Sequence, residues 1–118
     1  MDTKRYLFVI NDAPYGNERP YNALRHAMNL VKREEVELKV FLVADAVYCA
    51  RKDQKTPDGY YNIERMVKSL AKRGKVATWG TCCDARGLGS SDLTDGVEMG
   101  SMDVLGDWTL EADQVLVY

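Results

Sequence analysis

Apolar residues follow two rhythms along this 118-residue chain. Tyr6-Leu7-Phe8-Val9-Ile10 is a continuous apolar, β-rich run closed by Asn11-Asp12 and then by Pro14 and Gly16. Unbroken apolarity over so short a run predicts a strand buried on both faces, as in a parallel sheet. Pro20 then opens a segment in which Tyr21, Leu24, Met28 and Val31 recur at spacings of three and four. That spacing predicts an amphipathic helix with proline in its first turn. Leu38 to Val43 reads as a second buried strand, and Asp45 to Ala50 is expected to bend away from it. The charged stretch Arg51 to Tyr61, with Pro57 and Gly59, reads as a surface loop. Asn62 is placed to cap a second helix in which Ile63, Met66, Val67, Leu70 and Ala71 share one face, and Gly74 lies at its stop.

Lys75 to Trp79 is a third strand, followed by the polar and glycine-containing stretch Gly80 to Gly89. Leu93 to Met99 is too short to assign. Ser101 caps a last helix carrying Met102, Leu105 and Trp108, and Gln114 to Tyr118 reads as a final strand. Strands alternating with helices predict an α/β fold, a three-layer α/β/α sandwich whose mainly parallel sheet has about five strands. Neither repeats nor linkers interrupt the pattern, so residues 1–118 read as a single domain.

Composition narrows the partners. A 46% apolar and 29% charged chain can bury a core. Sixteen Lys and Arg stand against eighteen Asp and Glu, for a net charge of −2, so a basic nucleic-acid footprint is not expected. No apolar run approaches the ~18 residues that span a bilayer, and Met1 to Asp12 lacks a signal peptide's apolar region followed by small residues. The expectation is a soluble cytoplasmic protein with no membrane and no nucleic-acid partner. The cysteines Cys49, Cys82 and Cys83 are odd in number and two are adjacent, which argues for reduced thiols rather than a disulfide framework. With no C-x-x-C pair and a single histidine, His26, no metal site is expected. Neither G-x-G-x-x-G nor G-x-x-x-x-G-K-[ST] occurs, and no cofactor is expected.

In open parallel sheets, ligands gather at the carboxyl ends of the strands. Three segments meet that rule: Asn11–Arg19, Asp45–Ala50 and Gly80–Gly89. The third is chemically richest. Cys82 and Cys83 lie just past a strand end and shortly before Arg86, where a following helical turn would aim backbone N–H groups at them. Cations and helix starts favour the thiolate, the nucleophilic form. The bland reading is that adjacent cysteines fill small gaps beneath the loop, since free cysteine is among the most buried residue types. His26 is most simply a satisfied helical residue. Asn11-Asp12 resembles the acidic pocket of phosphoacceptor receiver domains, although no lysine ends the last strand. Arg51 to Lys55 reads as solvated, with Tyr60 and Tyr61 covering either the pocket or a subunit contact.

Three longer motifs carry a family resemblance. Thr78-Trp79-Gly80-Thr81-Cys82-Cys83-Asp84-Ala85-Arg86-Gly87-Leu88 resembles the cysteine-bearing loop, ending in Ala-Arg-Gly, of the DsrE/DsrF-like family, close to its YchN-like branch. Asn11 to Gly16 with Glu18 to Arg25 is similar to the same branch, as is the ending Gly100-Ser101-Met102, Trp108 and Ala112 to Leu116. The resemblance implies an α/β/α domain that assembles as a homotrimer or homohexamer and relays sulfur, as a cysteine persulfide, between a donor and an acceptor protein. Cys82 would then be the catalytic thiol of a sulfurtransferase-like protein, with Asn11, Asp12, Gly80, Cys83, Arg86 and Gly87 around it. In relay members the working cysteine stands about seven residues before the Arg-Gly pair; in this chain that position is Trp79. A non-catalytic binding module on the same fold is therefore the alternative expectation.

Overall fold

Five strands line up in the computed structural model, which describes residues 2–118. They are β1 (Lys4–Ile10), β2 (Val36–Leu42), β3 (Lys75–Trp79), β4 (Val97–Gly100) and β5 (Gln114–Val117), in spatial order β4-β3-β2-β1-β5. Every neighbouring pair is parallel, with Lys4 opposite Val36 through Ile10 opposite Leu42 and Val76 opposite Val97 through Trp79 opposite Gly100. Parallel neighbours need crossovers. Helices α1 (Arg19–Val31), α2 (Ile63–Arg73), α3 (Gly80–Ala85) and α4 (Met102–Glu111) lie in them, and a 3₁₀ segment at Ala44–Ala50 follows β2. The expected α/β sandwich is thus present. The unassigned stretch Leu93 to Met99 divides into an isolated bridge from Leu93 to Arg51 and the start of β4.

The unbroken apolar runs are explained by the two faces of the sheet. Phe8, Ile10, Leu38, Val40, Leu42 and Val76 pack under Ala23, Leu24 and Ala27 of α1 and Ile63, Val67 and Leu70 of α2. Their alternates Leu7, Phe41 and Ala77 meet Trp108 of α4 on the other side. Lys39 is the charged residue in this second layer. It lies 5.4 Å from the centre of the Trp108 ring and pairs with Glu111, carrying its ammonium group to the edge of the layer.

Local chemistry sets the ends of the helices. Asn62 Oδ1 accepts the Arg65 N–H at 3.1 Å, and Ser101 Oγ accepts the Val104 N–H at 3.3 Å, as N-caps do. At the end of α2 the chain passes so close to β2 that a Cβ on Gly74 would stand 2.4 Å from the Leu38 carbonyl oxygen. The loop between Arg51 and Tyr61 is pinned rather than free. The Gln54 amide donates to the carbonyls of Tyr48, Cys49 and Arg51 at 3.2, 3.0 and 2.9 Å, and its oxygen accepts the Tyr15 hydroxyl at 2.6 Å. Tyr61 stacks on Tyr21 with ring centres 4.0 Å apart, which fixes the loop to α1.

Candidate functional site

The carboxyl ends of β1, β2 and β3 come together at one edge of the sheet, and the three segments chosen from sequence all start there. They divide into two groups. After β1, the backbone N–H and the side-chain amide of Asn11 both donate to the Tyr118 carbonyl, at 3.1 and 2.9 Å. This closes the crevice between β1 and β5, where the strand order reverses. Asp12 pairs with Arg19 at 3.4 Å and accepts from Asn17, while its carbonyl takes the Cys49 thiol at 3.9 Å. The polar contacts of Asn11 and Asp12 therefore tie β1 to the chain end and to α1, and none of them reaches Cys82.

The second group is built from the segments after β2 and β3. Gly80 starts α3 close against β4, where a Cβ would meet the Gly100 carbonyl at 3.1 Å. One turn brings the half-buried Cys82 round to β2, and the Ala44 N–H donates to its Sγ at 3.2 Å. Ala44 holds φ at +51°, a left-handed conformation uncommon for a residue with a Cβ, where the chain leaves β2 for the 3₁₀ segment. The neighbouring Asp45 carboxylate accepts Nε and a terminal nitrogen of Arg86 at 2.9 and 2.8 Å. The other terminal nitrogen of Arg86 donates to the Cys82 carbonyl at 3.0 Å. Asp45 thus clamps Arg86 against the turn that carries the thiol, and the same hydrogen bond pushes the guanidinium pKa up.

Gly87 and Cys83 serve this arrangement through the backbone and the core. Gly87 takes φ +70°, its N–H donates to the Asp84 carbonyl at 3.2 Å, and the Leu88 N–H donates to the Cys83 carbonyl at 2.9 Å. This is a Schellman ending, in which a left-handed residue satisfies the last carbonyls of a helix and turns the next apolar residue inward. Leu88 accordingly packs with Cys83 and Val47. The Ala-Arg-Gly-Leu run therefore ends the helix and plugs it. Cys83 is fully buried, and burial pushes its thiol up; Cys49, also fully buried, is pushed up to about 12. Both are held as thiols. Cys82 is the one cysteine left partly open.

Two contributors to this group were not singled out individually from sequence, namely the Ala44 amide and the Asp45 carboxylate. The strand-end rule had selected the segment from Asp45, but a backbone N–H carries no residue-type signal. The amide that reaches Cys82 Sγ comes from Ala44 at the end of β2, where sequence reasoning looked to a following helical turn. Trp79 points into the α4 layer, edge-on to Phe41 with ring centres 6.4 Å apart, whereas Cys82 packs against the Val47 and Cys83 cluster. His26 lies 2.8 Å from the Tyr118 hydroxyl and packs edge-on to Phe8, a structural role. Among the described residues, no group of three or more His, Cys, Asp or Glu could hold a metal ion, and no helix is long and apolar enough to cross a membrane.

Comparison with known proteins bears on this geometry. Protein YchN of Escherichia coli K12 is 41% identical over 98% of this chain and 99% of its own, and an uncharacterized protein of Methanopyrus kandleri is 41% identical over 93% and 90%. The crystal structure of the E. coli YchN protein superposes with a TM-score of 0.92 at 40% identity, covering 98% of this chain and all of the other. A Methanobacterium thermoautotrophicum protein, 19% identical with a TM-score of 0.76 over 96% of this chain and 98% of its own, shares the fold. The DsrE/DsrF-like family model matches residues 4–118, and with these relatives it shows that the chain belongs to the DsrE/DsrF-like family, a family linked to sulfur relay.

Proposed function

We propose that this protein carries sulfur as a persulfide on Cys82, acting as a sulfurtransferase-like relay between a donor and an acceptor protein. The Cys82 thiolate attacks the outer sulfur of a donor persulfide; the donor's S–S bond breaks, the donor departs as a thiolate, and Cys82 keeps the sulfur. An acceptor thiolate then takes the outer sulfur by the same exchange and releases Cys82 unchanged. The observation that carries the reading is the Ala44 N–H held 3.2 Å from the Sγ of the only partly open cysteine, a donor placed where negative charge on sulfur would sit. Arg86 supports that turn from its clamp on Asp45. The reading includes a reducing, cytoplasmic setting, in which three free thiols persist, and assembly as a homotrimer or homohexamer.

The second reading, a binding module without relay chemistry, is favoured by Trp79 standing where relay relatives keep a cysteine. One experiment separates the two. The wild type, Cys82→Ser, and Trp79→Cys proteins are exposed to a small-molecule persulfide and weighed intact, with and without reductant. The relay reading expects a reducible gain of one sulfur atom in the wild type and its loss in Cys82→Ser. Loading confined to the Trp79→Cys protein would overturn it in favour of the binding module.

A further inference from the structure

Half of the cations of this acidic chain sit in one layer. Residues 19–33 and 63–73, which form α1, the two residues after it, and α2, hold eight of the sixteen Lys and Arg but one of the eighteen Asp and Glu. That carboxylate, Glu64, is turned to the neighbouring loop, where it accepts the Gln54 N–H at 2.9 Å.

On the face of the sheet opposite α4, α1 and α2 leave an open groove of about 650 Å³ between them. Its lining follows the two helices in order. Arg25 and Arg65 come first, then the half-buried Met28 and Met66, and then Lys32 and Arg73 at the far end. No lining residue is acidic. Among the described residues, none of the four cations is within ion-pair distance of a carboxylate. A cationic rim on both sides of a thioether floor calls for an occupant with carboxylates at its margins and apolar side chains between them.

Spacing narrows that occupant further. Arg25 and Lys32 are seven residues apart and Arg65 and Arg73 eight, which is roughly 10–12 Å of helix. In a bound helix, residues seven apart lie on one face and rise by the same roughly 10 Å. In an extended segment, residues on one face recur at steps of roughly 7 Å, and neither one step nor two matches. The aromatic residues argue against a nucleic-acid strand, which binds by stacking bases on open rings. Tyr61 is stacked against Tyr21 and Tyr60 with ring centres 4.0 and 4.4 Å apart, and Arg25 lies over the Tyr21 ring at 5.3 Å, so these rings already engage one another.

We propose that the α1–α2 groove is a docking site for an acidic amphipathic helix of another protein, one whose carboxylates recur every seven residues with apolar side chains between them. Its apolar side chains rest on Met28 and Met66, and its carboxylates meet Arg25 and Arg65 at one end and Lys32 and Arg73 at the other. The site uses no chemistry of Cys82 and stands apart from the relay reading.

The probe that tests this is a fluorescent synthetic peptide of about 20 residues, rich in alanine, in which glutamate recurs every seventh residue and leucine follows it by three and by four. Binding is read by fluorescence anisotropy. Wild type is expected to bind the peptide. Arg25→Glu combined with Arg65→Glu, and separately Lys32→Glu combined with Arg73→Glu, are each expected to weaken binding by more than about tenfold. The first variant should in turn gain affinity for the same peptide with lysine in place of glutamate. All four side chains are exposed, and circular dichroism verifies folding. No binding by wild type, variants that bind as wild type does, or equal binding of a peptide with glutamine in place of leucine would each overturn the proposal. Tighter binding of a single-stranded RNA oligonucleotide would overturn it in favour of a nucleic-acid site. A fall in molar mass of either variant in light scattering would overturn it in favour of a contact between copies. None of these measurements reads the Cys82 thiol, so the relay reading stands or falls on its own experiment.

Discussion

Residue by residue, the three cysteines differ in what surrounds the sulfur, and that difference is measurable. Cys49 and Cys83 are fully buried and pushed toward the thiol form, while Cys82 is partly open and receives the Ala44 amide. Alkylation of the folded protein is therefore expected to show one fast thiol, lost in Cys82→Ser and kept in Cys83→Ser. Retention in the first and loss in the second would move the reactive sulfur to Cys83. Cys49 makes a second prediction, about stability against pH. Its thiol ionises near 9.0 in the unfolded chain and is raised to about 12 in the fold. Between those values the unfolded chain binds fewer protons than the native state, so stability is full below pH 9 and falls as pH rises toward 12. Cys49→Ala should start lower by about 1–2 kcal/mol because of the small cavity, and should lose less over that alkaline window. Parallel pH profiles for the two proteins, by denaturant melts, would show that Cys49 does not titrate this way.

At the scale of elements, helix ends make the clearest claims. Gly87 holds φ +70° so that α3 can stop and Leu88 can turn inward. Gly87→Ala forces a Cβ into the left-handed region and is expected to cost about 1–2 kcal/mol in thermal or denaturant unfolding. Asn62→Ala removes the cap on α2 and should cost about 1 kcal/mol. An effect below the error of the measurement at either position would remove the role assigned to it. These elements were legible from the chain because the signals are local. The caps Asn62 and Ser101, the stop at Gly74, and the apolar runs of β1 and β2 each state their structure within a few residues. β4 was not legible, because a four-residue edge strand with exposed Glu98 and Met99 carries no burial rhythm. The site was legible in part. Cys82, Arg86 and the strand-end edge follow from residue type and position. The Ala44 amide and the Asp45 clamp depend on β2 and β3 being adjacent, a contact across about forty residues that no local pattern encodes. Asn11 lies at the crevice that topology selects, and its side-chain amide donates to the Tyr118 carbonyl, a partner 107 residues away that no local pattern encodes.

For the whole molecule, what matters is how much sheet one helix can cover. α1 and α2 share one face, but on the other α4, a single helix roughly 10 Å in diameter, lies against a sheet of five strands roughly 20 Å across. The shortfall lies at the β5 edge. Val115 and Val117 stand opposite Leu7 and Val9 on the α4 side of the sheet, yet remain 43% and 68% exposed. An apolar margin beside a thinly covered layer is a surface that assembly would cover. Val117→Asp tests it cleanly. The side chain already faces solvent in the single chain, so the substitution should change monomer stability by no more than about 0.5 kcal/mol. Placed inside a subunit contact, the same carboxylate would be buried without a partner and would oppose association. The expected result is a lower molar mass in light scattering with an unchanged circular dichroism spectrum, while fast alkylation of Cys82 persists. An unchanged mass would show that β5 faces water and takes no part in joining copies.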